Sequence, residues 1–292
     1  MIGPPLSAWV AVPAGGQEQA IFGAAPECLR NREFNARLRV YCSDMLLRGE
    51  APLIAKFTNQ FARFQLCGQI TAEFGAWRYG GARATLGHLQ SLRIESARQT
   101  AQHVAVMRRL GLAGIVADAA DRRRLWLEPT ALMIATVTRP MLDMVTMGDR
   151  LHGEELAGRL RADPALLLAV FAKGWLLREM IDGLRLAAFP IIERFARLEG
   201  GWRLLAAIIG HHLAWTMGAG GAPDALSWAA LPAILHVSRS QLANLLRMAA
   251  AAGFFVLRQR RLEAVSPGMV EEYRRYCALQ MLHFQAVARA FR

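Results

Sequence analysis

The sequence predicts a mainly α fold with two small β-hairpins, organised as two copies of one unit flanked by long helices. An internal repeat is the first sign. Ser96-Ala97-Arg98-Gln99-Thr100-Ala101 sets serine, glutamine and alanine in register with Ser238-Arg239-Ser240-Gln241-Leu242-Ala243, and the same offset brings Gly111 onto Gly253. The second sign is apolar spacing of helical period over most of the chain. The third is that each of these glycines precedes an apolar run, a polar turn and a second apolar run, the pattern of a short hairpin.

Taken in order, residues 1–30 read as a flexible arm, because residues 1–20 are rich in Gly, Pro and Ala and lack the basic start and continuous apolar core of a secretory signal. Helices are expected over 34–47 and 53–77. The first repeat copy occupies 86–130. Ser96 suits an N-cap, its hydroxyl accepting an amide hydrogen bond of the first turn. Thr100, Val104, Met107 and Leu110 fall on one face, and Ala97, Arg98, Gln102 and Arg108 on the other. Gly111 stops the helix, since the residue past the last turn commonly adopts the left-handed conformation. Leu112 to Val116 and Leu125 to Leu127 are the hairpin strands, with Asp118 and Asp121-Arg122-Arg123-Arg124 between them, and Thr130 begins a helix over 131–147.

A charged connection, 149–163, ends in Asp163-Pro164, where proline at a first helical position restarts the pattern. The second half repeats the plan with helices over 165–186 and 191–217. Ser238 caps the matching helix of the second copy, Leu242, Leu245, Leu246 and Ala249 face inward, and Arg239, Ser240, Asn244 and Arg247 face out. Gly253 ends it. Phe254 to Leu257, the turn Arg258-Gln259-Arg260-Arg261 and Leu262 to Ser266 form a shorter hairpin, followed by a closing helix over 269–290. The uncharged run 204–223 approaches membrane-spanning length but contains His211, His212 and clustered glycines, so it reads as a buried core helix. The domains expected are 31–150 and 151–292.

A capped helix with one apolar and one polar face, followed by a hairpin, is a winged helix-turn-helix, and two of them occur in tandem. Asp121-Arg122-Arg123-Arg124-Leu125-Trp126-Leu127-Glu128-Pro129-Thr130 resembles the wing signature of the multiple-antibiotic-resistance (MarR) family of bacterial transcription regulators. The resemblance implies that Arg123 reaches from the wing into the minor groove with Asp121 orienting it, and that Arg122 and Arg124 flank it. It implies that helices at the ends of a protomer form the dimer, so two fused protomers make either a monomeric pseudo-dimer or a homodimer. It also implies a small-molecule effector pocket between the DNA unit and the dimer helices. Phe64, Phe74, Trp77, Trp202 and Trp215 are candidates to line it, and their helical spacing equally describes core aromatics. The second wing departs from the pattern, having no aspartate, which leaves Arg258, Arg260 and Arg261 for phosphate contact.

Composition fits double-stranded DNA as partner: 35 basic residues against 23 acidic ones give +12, which favours a polyanion through counterion release. Only Lys56 and Lys173 are lysines, so an arginine bias of the whole chain shares in that charge. Cys28, Cys42, Cys67 and Cys277 show neither Cys-x-x-Cys nor zinc spacing and read as reduced thiols of a cytoplasmic protein, with Cys67 a buried structural residue rather than a redox sensor. His211 and His212 point about 100° apart on a helix and make a poor metal face. His88, His103 and His236 lie in or beside the repeat units, where core, surface and phosphate-contact roles are open. No catalytic constellation, cofactor motif or metal site is expected. The expected function is that of a DNA-binding transcription regulator, with specificity from Ala97, Arg98, Thr100, Gln102, Arg239, Ser240 and Asn244. A scaffold module that has lost DNA contact and a tandem winged-helix replication initiator are the rivals.

Overall fold

A computed structural model describes residues 14–47, 49–119, 121–218, 229–258 and 261–291. It is mainly helical, with two small two-stranded antiparallel sheets. Along the chain run α1 (Ala14–Arg30), α2 (Arg32–Leu46), α3 (Pro52–Thr58), α4 (Phe61–Trp77), α5 (Leu86–Ser91), α6 (Ala97–Arg109), β1 (Ala113–Ala117), β2 (Leu125–Pro129), α7 (Ala131–His152), α8 (Leu156–Ala162) and α9 (Pro164–Met180). Two 3-10 turns, Asp182–Leu184 and Leu186–Ala188, lead to α10 (Pro190–Ala196), α11 (Gly201–Thr216), α12 (Leu231–Ile234), α13 (Arg239–Ala251), β3 (Phe255–Arg258), β4 (Arg261–Val265) and α14 (Pro267–Arg289).

The chain forms two compact units. Among the described residues, unit 1 holds the chain up to Gly23, Ala62–Gly183 and Met281 onward, while unit 2 holds Ala24–Phe61 and Leu184–Gln280. Each unit is therefore assembled from separated stretches, and the expected boundary at 150/151 falls inside unit 1. The expected arm also differs from what is found: from Ala14 it is helical, with Ile21, Ala25 and Cys28 buried. In unit 2, Arg274 of α14 donates to the Leu29 carbonyl at 2.7 Å and to Asn35 Oδ1 at 2.9 Å, which anchors the end of that helix.

Local chemistry sets the helix ends. Asp163 accepts from the amides of Ala165 and Leu166 ahead of Pro164, and Thr130 accepts from the Met133 amide to open α7. Two expected helices are broken in two by tertiary demands. The 53–77 helix breaks at Asn59-Gln60, where buried Asn59 donates to the Leu235 carbonyl at 2.6 Å and its own carbonyl accepts from the Gly200 amide at 3.1 Å. The 191–217 helix breaks before Gly200, whose φ of +78° starts α11. The 165–186 helix ends at Met180, and the 149–163 connection contains the last turn of α7 and all of α8.

Unit 1 buries Leu66, Ile70, Leu89, Met107, Leu112, Met133 and Phe171 completely or nearly so. In unit 2, α2 and α11 run antiparallel, with Trp202 Nε1 3.2 Å from Met45 Sδ, and Gly210 passing close to Cys42. Phe34, Leu38, Phe189, Phe195 and Tyr273 fill its centre. All four cysteines are buried, and burial pushes the Cys28 thiol up to about 11 and those of Cys42 and Cys67 up to about 12, which disfavours the reactive thiolate. No described helix is long and apolar enough to cross a membrane.

Candidate nucleic-acid interface

Helix α5 is seated in unit 1 by its cap and by a buried acid. Thr85 Oγ1 accepts from the His88 amide at 3.0 Å, and His88 Nε2 lies 2.9 Å from Glu73 Oε1 of α4. Burial pushes the Glu73 carboxyl up from its ordinary range, opposed by the hydrogen bond from Gln69 and by His88. The turn after α5 passes through Arg93 at φ +53°, a left-handed position usually held by glycine. Ser96 then closes a capping box with Gln99, its Oγ accepting the Gln99 amide while Gln99 Oε1 accepts the Ser96 amide, both at 3.3 Å.

From that start α6 divides its faces cleanly. Thr100, Val104 and Met107 are buried, and Ser96, Ala97, Arg98, Gln102 and Arg108 are exposed. Thr100 corrects the sequence reading: it is fully buried, so it sits under the helix and cannot reach a base edge. His103 is half-buried between Glu95, which bonds its Nδ1, and Arg63 of α4, whose Nε donates to its Nε2 at 3.3 Å. Gly111, at φ +70°, ends the helix in a Schellman motif, with Leu112 N bonded to Met107 O at 2.8 Å and Gly111 N to Arg108 O at 3.1 Å.

Strand β1 pairs with β2 from Ala113↔Pro129 to Ala117↔Leu125. The Leu127 amide bonds the Ala84 carbonyl at 2.8 Å, and Arg83 joins Glu128 at 3.2 Å while stacking on Trp77, so the hairpin root is tied to the approach to α5. At the tip Asp121 Oδ1 accepts the Arg123 amide at 3.1 Å, and Asp118 accepts the Asp121 amide at 3.0 Å and Trp126 Nε1 at 2.9 Å. The aspartates thus fix the loop backbone, and Asp121, Arg122, Arg123 and Arg124 are all exposed.

Unit 2 repeats this geometry with one residue fewer in the turn. His236, at φ +51°, takes the place of Arg93, and Val237 leads directly to Ser238, with no counterpart of Glu95. Burial and the nearby Arg203 guanidinium push the His236 imidazole down, against the pull of Glu50. Ser238 accepts the Gln241 amide at 3.1 Å, while the Gln241 side chain donates to the Glu199 carbonyl rather than completing a box. Leu242, Leu245 and Ala249 are buried; Ser238, Arg239, Ser240, Asn244 and Arg247 are exposed. Phe254 N to Ala249 O and Gly253 N to Ala250 O reproduce the Schellman motif at φ +70°. Strands β3 and β4 pair with a register shift at Val256/Leu257. Arg260 and the side chains of Arg258 and Arg261 lie outside the described residues.

The aromatic residues expected around an effector pocket divide between the units. Phe64 contacts Trp175 and Phe74 contacts Trp77 in unit 1; Trp202 contacts Phe61, Tyr273 and Tyr276 in unit 2. Trp215 is 62% exposed at the end of α11. The capping box was available to sequence reasoning as Ser-x-x-Gln, whereas the Glu95–His103–Arg63 and Glu73–His88 contacts join residues with no shared motif. Comparison of the chain with protein-family models, curated proteins and solved structures gave no match.

Proposed function

We propose that this protein is a sequence-specific DNA-binding transcription regulator made of two tandem winged helix-turn-helix modules, similar in plan to MarR regulators. One observation carries the reading: in each unit a serine-capped helix with one buried face presents arginine and amide side chains on the other, ahead of a hairpin. An α-helix with such a face fits the major groove, where arginine and amide groups match base edges. The arginines of the first hairpin supply groove or phosphate contact beside it. A single chain then offers two readers.

The test is a salt-titrated binding assay of the whole chain on genomic fragments. Affinity should fall with a log–log slope of about −0.9 per neutralised phosphate. A flat response would reject DNA binding and favour the scaffold reading, for which the exposed Ile115, Val116 and Leu125 of the first hairpin are the supporting observation.

A further inference from the structure

We infer that Asn244 and Arg247 act together on α13 to read an adenine and a guanine at neighbouring base pairs, giving one half-site a guanine requirement that the other lacks. The inference rests on the DNA-reading function proposed above and specifies its target. Four polar side chains stand on the exposed face of α13: Arg239, Ser240, Asn244 and Arg247. Ser240 Oγ is 3.0 Å from Ser238 Oγ and so belongs to the helix cap, and Arg239 is the first residue of the helix. Asn244 and Arg247 are the pair at its middle.

They are joined, Arg247 Nη1 donating to Asn244 Oδ1 at 3.0 Å. That bond uses one of five guanidinium N–H donors and one of two lone pairs on the amide oxygen. What remains has the right pattern. The other edge of the guanidinium can donate twice, to guanine O6 and N7, and the amide can donate to adenine N7 while accepting from N6. Three residues along a helix rise about 4.5 Å, close to the roughly 3.4 Å separating stacked base pairs, so the two groups address successive steps. Their mutual bond holds both side chains in place before DNA arrives, lowering the ordering cost of binding.

The same positions of α6 are Gln102 and Ala105. The first reader keeps an amide but has no guanidinium to demand guanine, and its arginines stand elsewhere, at Arg98 near the start and Arg108 and Arg109 at the end.

Selection from a randomised duplex pool with the whole chain would define the site, after which each base pair is permuted and tested against wild type, Arg247→Ala, Arg247→Lys and Asn244→Ala. Replacing the guanine should cost wild type about 5- to 150-fold and Arg247→Ala less than about twofold. Arg247→Lys should restore salt-dependent affinity with a weaker guanine preference than wild type, because an ammonium can donate to guanine but lacks the fixed fork. Asn244→Ala should lose the adenine preference and weaken that for guanine. Equal guanine penalties in wild type and Arg247→Ala, or two half-sites of one sequence, would overturn the inference while leaving DNA binding intact. A pool with no enriched sequence would instead remove the DNA reading on which it depends. All four proteins should melt alike, since both side chains are exposed.

Discussion

Arg123 shows how a single backbone contact prepares a side chain. Asp121 Oδ1 receives its amide, so the loop is fixed while the guanidinium stays exposed at the hairpin tip. Arg123→Ala should weaken DNA binding by about 1–3 kcal/mol, the scale of a good groove contact, and an unchanged Kd in anisotropy titrations would remove the hairpin from recognition. Gly111 acts through conformation alone, since a Cβ there would meet nothing within 4 Å. Gly111→Ala should therefore cost about 1–2 kcal/mol, the penalty of placing an L side chain at positive φ, read as a lower urea midpoint at constant m-value. His283 carries a pH signature. Burial, opposed by its bond to the Gly174 carbonyl and aided by Arg178, pushes its imidazole down to about 4 from 6.5, and its Nδ1 is buried with no partner among the described residues. Between those values the unfolded chain holds more protons than the folded one, so stability is lost as pH falls from 6.5 through 4, by up to about 3 kcal/mol. Urea unfolding at pH 7.5 and 4.5 measures this, and His283→Leu should flatten the difference; an undiminished slope in the variant would assign it to other groups.

Among elements, the parts readable in the sequence are those whose cause is local. Serine caps, glycine stops and the alternation of buried and exposed positions on α6 and α13 are written within a dozen residues, so both helices and both hairpins are where the pattern puts them. The breaks at Asn59 and before Gly200 were not readable, because each satisfies a partner remote in sequence: Asn59 holds the Leu235 carbonyl in the second turn. Thr100 carries two incompatible expectations, a place on the inward face with Val104 and Met107 and a contact to a base edge, and the helical spacing is the one that holds, since the side chain is buried. Arg93 and His236 carry no glycine signal for their positive φ, and the residue inserted before Ser96, Glu95, reveals its use only through His103. The first hairpin also makes a prediction as an element. Replacing Arg122, Arg123 and Arg124 together by alanine should reduce the log–log salt slope by about 0.9 for each phosphate that is no longer neutralised. An unaltered slope would confine phosphate binding to the helices.

At the scale of the whole molecule, the two units are interleaved along the chain, and this sets what can be separated. Unit 1 needs Met281 onward as well as Ala62–Gly183, and unit 2 needs Ala24–Phe61 as well as Leu184–Gln280. Fragments 1–150 and 151–292 should each lack a cooperative melting transition and regain one when refolded together; a fragment 1–150 that melts cooperatively alone would contradict this. The interleaving also orders events during translation. The residues that complete unit 1 are made after all of unit 2, while the first stretch of unit 2 must wait through the synthesis of unit 1's central part for its partners. Neither unit can close behind the ribosome as it emerges, so the apolar face of α2, with Phe34 and Leu38, stays uncovered at least until α11 has been made. Long-range closure of this kind is slow and leaves the nascent chain open to aggregation. Two interleaved units within one polypeptide thus come with a folding delay that two separately made subunits would not share.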